Sequence, residues 1–303
     1  MDQDMKQILV AIDLGDDTGK IIAYALWLAA YQENVRTGTA EPTEIDLLYV
    51  LDYGFTPPTY LSPYIEKEKE LDETEIKKWE GIIRSFGIQT THRIAAGRLL
   101  ETFASALKEL RADVMVLGHA SHLVRPSTSE RLIRSLETHM LVVRGEKAEG
   151  ATPGKLGIKK ILCAVDFSDN SKKALAYARE LADRSSAALA VVYVVSSHKM
   201  ETGFRKWQDM NEADKTSYRN DLIGRAEAEM RSLLSSLANE CRDVECIVRT
   251  GITYKTINEV AAENNADMIV IGARGLSYIK GIMLGSVTES IIKSSPCPVM
   301  IVR

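Results

Sequence analysis

In the second half of the chain, apolar residues run almost unbroken through five short stretches, near 160–166, 188–195, 244–249, 267–272 and 298–303. Runs of that length and composition predict strands covered on both faces. Between them the apolar period lengthens. Ile223, Ala226, Met230, Leu233 and Leu237 recur at steps of three and four, which predicts an amphipathic helix with one buried stripe. Ser168 and Asp169 are N-cap candidates for an earlier helix over Ser171 to Leu181. Strands alternating with helices imply βαβ units on a parallel sheet, and right-handed crossovers turn these into a doubly wound, flavodoxin-like α/β domain of five strands.

The pattern occurs twice. Residues 6–13, KQILVAID, return as residues 159–166, KKILCAVD, at an offset of 153. Residues 112–118, ADVMVLG, return as ADMIVIG at an offset of 154, and Met140 to Arg144 returns as Val299 to Arg303 at an offset of 159. Three blocks in one order mean duplication. The growing offset says that the first copy lacks five residues between Gly118 and its last helix. Gly145 to Gly154 has the Gly, Pro and charged composition of a linker, so the domains are expected at 1–148 and 155–303, with the boundary near 150.

A length of 303 residues suits two such domains. The apolar stretch Ile21 to Ala30 is too short to span a bilayer, and Met1 to Lys6 lacks the start of a secretory signal. No membrane association is expected and the cytoplasm is the default. A net charge of -4 argues against a generally basic nucleic-acid binder. The charge is uneven: 17 basic against 24 acidic residues up to position 150 leave -7, and 21 against 18 after it leave +3. An anionic ligand would favour the second half. Cys163, Cys241, Cys246 and Cys297 form no C-x-x-C pair and are expected as buried free thiols.

Two Gly-rich phosphate signatures fail. No G-x-G-x-x-G follows either first strand. Gly15 to Lys20 is one residue short of a Walker A loop and continues with Ile21 where a Ser or Thr should hold magnesium; it is expected as a helix start, with Asp16 or Asp17 as the cap. The third signature lies after the fourth strand of the second copy. Gly272, Ala273, Arg274 and Gly275 are followed by nine residues and then Gly285, Ser286, Val287 and Thr288. Glycines let the backbone approach a phosphate, and the amides of a helix start point at it. Arg274 and Lys280 could meet phosphates or remain solvated loop charges.

With these motifs the chain resembles the universal stress protein family, whose nucleotide-binding branch carries G-x-x-G, nine residues, then G-[ST]. The resemblance covers essentially the whole chain as a tandem of two domains. It implies an intramolecular pseudo-dimer in which the last strands, Met140 to Arg144 and Val299 to Arg303, pair antiparallel. It also implies that the second domain binds an adenine nucleotide, namely ATP with or without magnesium. Asp166 would face the ribose or adenine and Val194 the adenine edge. Ala164 and Ile271 would complete the pocket, and Gly272, Gly275, Gly285, Ser286, Val287 and Thr288 would hold phosphates. Expected partners are the nucleotide, a further copy of the tandem chain and a signalling protein of unknown identity.

The first copy departs from the motif. Ser121 replaces the second glycine, Pro126 stands where Gly285 does, and the loop is shorter. Proline supplies no N–H. Asp13 and Val50 remain, so the first site is expected to be degenerate. His119 and His122 could share a metal ion with His139, although an exposed polar loop is the favoured reading. The aromatic and proline-rich segment Asp52 to Tyr64 is expected to be a surface loop, with a lid or interface as the alternative.

No Ser-His-Asp or Cys-His set marks a catalytic centre, so binding rather than turnover is expected. The alternatives are a slow ATPase or adenylyl-transfer enzyme using the same loop, or an interaction scaffold whose site stays empty. The His-x-Gly-His motif of nucleotidyltransferases of a related fold is absent after Asp166.

Overall fold

A computed structural model describes residues 7–31, 43–52, 58–119, 128–197, 210–236, 244–275 and 284–303. The chain divides into two units, Met1–Gly157 and Ile158–Arg303.

The first unit runs β1 (Gln7–Ile12), α1 (Thr18–Ala30), β2 (Glu44–Leu51), α2 (Pro58–Ser85), β3 (Gln89–Ala96), α3 (Leu99–Leu110), β4 (Val114–Gly118), α4 (Thr128–Ser135) and β5 (His139–Val143). Its strands pair in parallel in the order β3-β2-β1-β4-β5. The second unit repeats this with β6 (Lys160–Val165), α5 (Asp169–Ser185), β7 (Ala188–Ser196), α6 (Glu212–Ser236), β8 (Glu245–Gly251), α7 (Thr253–Glu263), β9 (Met268–Gly272), α8 (Ser286–Ser294) and β10 (Val299–Val302). Its order is β8-β7-β6-β9-β10, again parallel throughout. The order in which strands are added reverses at β1 and at β6, which opens a crevice at their carboxyl ends, where doubly wound sheets bind ligands.

The apolar runs are buried as their composition demands: Ile8, Leu9, Val10, Ile161, Leu162, Cys163, Ile269 and Val270 have no exposed surface. Burial pushes the Cys163 thiol far above its ordinary pKa. Cys297 is also buried, but Cys246 is exposed on β8, contrary to expectation, because β8 is a sheet edge; Cys241 lies outside the described residues. On α6, Ala226 and Met230 are buried and Ile223 and Leu233 half-buried, so the stripe is present. Leu237 lies outside the described residues. Among the described residues no helix is long and apolar enough to cross a membrane.

The repeated Ala-Asp before β4 and β9 has a structural role. The Asp267 carboxylate accepts the backbone N–H groups of Lys159 and Lys160 at 2.8 and 3.0 Å, and Asp113 accepts that of Gln7 at 3.3 Å. Each aspartate satisfies amides at the start of its central strand.

Three expectations change. The aromatic and proline-rich segment is helical from Pro58 onward, as the start of the 28-residue α2; proline suits a first helical position, whose N–H has no intrahelical partner. Residues 53–57 lie outside the described residues. Asp17 does sit at the N-cap of α1 but makes no capping bond, because its carboxylate is engaged by Lys20 Nζ at 2.8 Å. The linker is an ordered part of the first unit. A 3-10 turn over Glu146–Ala148 buries Ala148, and Glu149 pairs with Lys20 at 2.7 Å. Hydrogen bonds donated to the Asp17 and Glu149 carboxylates hold the Lys20 ammonium above its ordinary pKa.

Gly118 and Gly272 end equivalent strands, yet they tolerate a side chain differently. A Cβ on Gly272 would lie 3.0 Å from the backbone carbonyl carbon and oxygen of Asn170 at the start of α5, whereas one on Gly118 would meet only the tip of Ile21, at 2.9 Å. A side-chain tip can turn away and a helix backbone cannot. Gly272→Ala should therefore cost about 1–3 kcal/mol and Gly118→Ala distinctly less, as read by urea unfolding.

Candidate functional site

The site is built at the carboxyl ends of β6 and β9. After Val165 the chain turns through Asp166 and Phe167 into α5, and Phe167 adopts a left-handed backbone, φ 65°. A bulky residue is rarely found there, so the surrounding contacts must enforce it. Asp166 Oδ1 accepts the Ser168 N–H at 3.1 Å and the Ser168 hydroxyl at 2.5 Å, an Asx-turn with a second donor added. The Ser168 oxygen also accepts the Ser171 N–H at 3.2 Å, which caps α5. Phe167 stacks on Tyr193 with ring centroids 4.6 Å apart. Burial first, then the charges of Glu229 and Asp166, raises the Tyr193 phenol above its ordinary pKa.

The other wall is the β9–α8 connection. The Gly285 N–H donates to the Ala273 carbonyl at 2.8 Å, and the Ala273 N–H to that of Val302 at 2.8 Å. The Thr288 hydroxyl, buried, donates to the Gly272 carbonyl at 2.9 Å. These bonds clamp the base of the loop and place Gly285 beside Gly275: a Cβ on Gly285 would lie 3.7 Å from the Gly275 nitrogen. Gly285 is the N-cap of α8, with no side-chain capping bond. The amides of Ser286, Val287 and Thr288 are first-turn donors that no intrahelical carbonyl reaches, and Ser286 is exposed.

Gly275 joins the two walls. A Cβ there would overlap Asp166 Oδ2 and lie 3.3 Å from Asp166 Cγ. The carboxylate is thus turned with Oδ1 toward Ser168 and Oδ2 onto the glycine. Ala164 and Ile271, opposite each other on β6 and β9, are buried just below, as is Val194 on β7. Asp166, Ala164, Ile271, Gly275, Gly285 and the start of α8 therefore gather at one crevice. Two motif positions have structural duties instead of open donors. The Thr288 hydroxyl is spent on Gly272, and Gly272 is kept bare by α5. Arg274 is half-buried; Lys280 lies outside the described residues.

The described residues of the first unit are arranged differently. Asp13 is exposed and accepts the Gly15 N–H at 3.0 Å, with no hydroxyl added. His119 is buried, not part of an exposed loop, and its Nδ1 lies 3.0 Å from the Ser129 hydroxyl of α4. Ser129 holds the position of Thr288, and there its hydroxyl meets a side chain. Ser121, His122 and Pro126 lie outside the described residues. Among the described residues, no three His, Cys, Asp or Glu side chains gather as metal ligands.

One polar cluster escaped the motif reading. Asp46, buried in β2, accepts from the Gln7 amide and the Thr91 hydroxyl, beside a cavity of about 110 Å³ lined also by Leu9, Ala106 and Leu110. A carboxylate one residue into the otherwise apolar run 45–50 was the available signal.

The fold defines an α/β protein built of two doubly wound units, each on a parallel five-stranded sheet. The chain belongs to the universal stress protein family, whose model matches residues 5–144 and again 157–303. A universal stress protein of Methanocaldococcus jannaschii is 27% identical over 153 residues, 48% of this chain and 94% of its own length. YxiE of Bacillus subtilis is 32% identical over 148 residues, 48% of this chain and 98% of its own. A universal stress protein from Archaeoglobus fulgidus, known as a crystal structure, covers 98% of both chains with a TM-score of 0.66 at 20% identity, a likeness of fold.

The overlap at Gly275 yields a prediction. Gly275→Ala should lower the melting temperature, and adding Asp166→Ala should restore much of the loss by removing the group the new methyl strikes. Two losses that simply add would place the strain elsewhere.

Proposed function

We propose that the second unit binds ATP in this crevice and that the first unit is a degenerate copy retained for structure or regulation. The observation that supports this is the clamped loop: two glycines without side chains face the start of α8, whose first-turn amides are unspent inside the helix. Oriented N–H groups and a helix N-terminus are what a polyphosphate requires. In this reading Gly275, Gly285, Ser286, Val287 and Thr288 supply backbone donors, Asp166 takes the ribose, and Val194 meets the adenine edge through its backbone. Magnesium would enter with the phosphates as their counter-ion. Binding without marked turnover suits a stress-response or signalling role in the cytoplasm, as a dimer of tandem chains.

Calorimetry should find one ATP per chain, and ATP should raise the melting temperature far more than NADH does. Gly275→Asp would strike Asp166 as well as the ligand, so Gly285→Asp is the cleaner disruption. Its Cβ meets the backbone only at an ordinary 3.5 Å, and aspartate is a good N-cap. Gly285→Asp should keep or raise thermal stability while abolishing ATP binding, and Ser121→Asp should leave binding nearly unchanged. No shift from ATP at millimolar concentration would favour the empty scaffold, multiple turnover of bound ATP the enzyme, and two sites per chain an intact first unit.

A further inference from the structure

The duplicated turn after the first strand of each unit has diverged at one atom. In the second unit Ser168 donates both its N–H and its hydroxyl to Asp166 Oδ1, at 3.1 and 2.5 Å, and its own hydroxyl oxygen accepts the Ser171 N–H at 3.2 Å. In the first unit the equivalent residue is Gly15, which donates its N–H alone, at 3.0 Å, and α1 has no side-chain cap. Both turns keep a left-handed residue between the two, Phe167 at φ 65° and Leu14 at φ 57°. The turn geometry is therefore common to both, and the hydroxyl is peculiar to the unit with the clamped loop.

We infer that Ser168 is a positioning residue for the nucleotide site: it ties the Asp166 carboxylate to the start of α5, holding Oδ1 back and presenting Oδ2 over Gly275. A carboxylate that loses its shortest donor gains freedom to rotate about its side-chain bonds and lose its aim. The second donor and the capped helix end stop that rotation before a ligand arrives. The Ser168 hydroxyl serves as donor and acceptor at once, so orientation of the carboxylate and order in the first turn of α5 are one constraint. As to ligand, the inference rests on the ATP reading above; as to geometry, it stands on the contacts alone.

The two parts are tested separately. Without ligand, Gly275→Ala should lower the melting temperature less in a Ser168→Ala background than in the wild type, because a released carboxylate can swing away from the new methyl. Equal losses in both backgrounds overturn the inference. With ligand, wild-type protein should bind ATP roughly tenfold tighter than 2′,3′-dideoxy-ATP, the worth of a hydrogen bond to a charged group. Ser168→Ala and Ser168→Gly should weaken ATP toward the dideoxy value and leave dideoxy-ATP unchanged, and Ser168→Thr, which keeps the hydroxyl, should restore the difference. A variant that loses both ligands equally shows only a structural role, and one that loses neither shows no role; each overturns the inference. Wild-type protein that binds neither nucleotide, with the ligand-free coupling intact, overturns the nucleotide reading and leaves Ser168 the holder of Asp166.

Discussion

The second unit's crevice depends on the hydrogen bond from the Gly285 N–H to the Ala273 carbonyl, at 2.8 Å. A long loop leaving β9 could return to its helix in many ways, and ordering it costs conformational entropy. Fastening its two ends together, with the Thr288 hydroxyl on the Gly272 carbonyl as a second tie, removes that freedom from the start of α8. The start of α8 is then fixed relative to Gly275 and, through Gly275, to Asp166. A crevice assembled from two strand ends needs such a tie, because neither strand by itself determines where the helix begins.

The same architecture tolerates a different solution in the first unit. There the position of Thr288 is held by Ser129, which meets the buried His119 ring, and the position of Ser168 is held by Gly15. At the opposite end of the sheet the copies also differ. Gln7 and Thr91 close over the buried Asp46 carboxylate, whereas the second unit has Ala190 beside β6 and joins Lys160 to Glu245 at 2.8 Å. What both copies preserve are the Asp113 and Asp267 carboxylates on the amides at the start of the central strand, and the left-handed turn at its end. Duplication has kept the features that set strand position and released those that shape the crevice.

Much of this was legible in the sequence because burial on both faces of a parallel sheet leaves a strong apolar record. The strand spans of the second unit agree with the structure to within a residue or two at each end. Boundaries were less legible where a helix start depends on side-chain geometry. Asp17 has the composition of a cap, but the Lys20 ammonium competes for its carboxylate, and no local rule ranks the two. His119 looked like a loop histidine because its burial depends on α4 returning over it. The grouping of Asp166 with Gly275 needed the fold, since 109 residues separate them and only the parallel pairing of β6 with β9 brings them together.

The glycines show why a motif alone leaves chemistry open. A pattern of Gly, two residues, Gly, nine residues, Gly reads as one device for approaching a phosphate. The structure gives its three members separate reasons. Gly272 is bare because the Asn170 backbone at the start of α5 occupies the space of a side chain, Gly275 because the Asp166 carboxylate does, and Gly285 has ordinary room and is free to be something else. Two of the three are therefore required by the protein's own packing whether or not a ligand binds. Among the described residues nothing internal explains the absence of a side chain at Gly285, and on the proposed reading a ligand lying close to the backbone would. That is why a substitution there separates the fold from the function, and why the same change at Gly275 or Gly272 would confuse them.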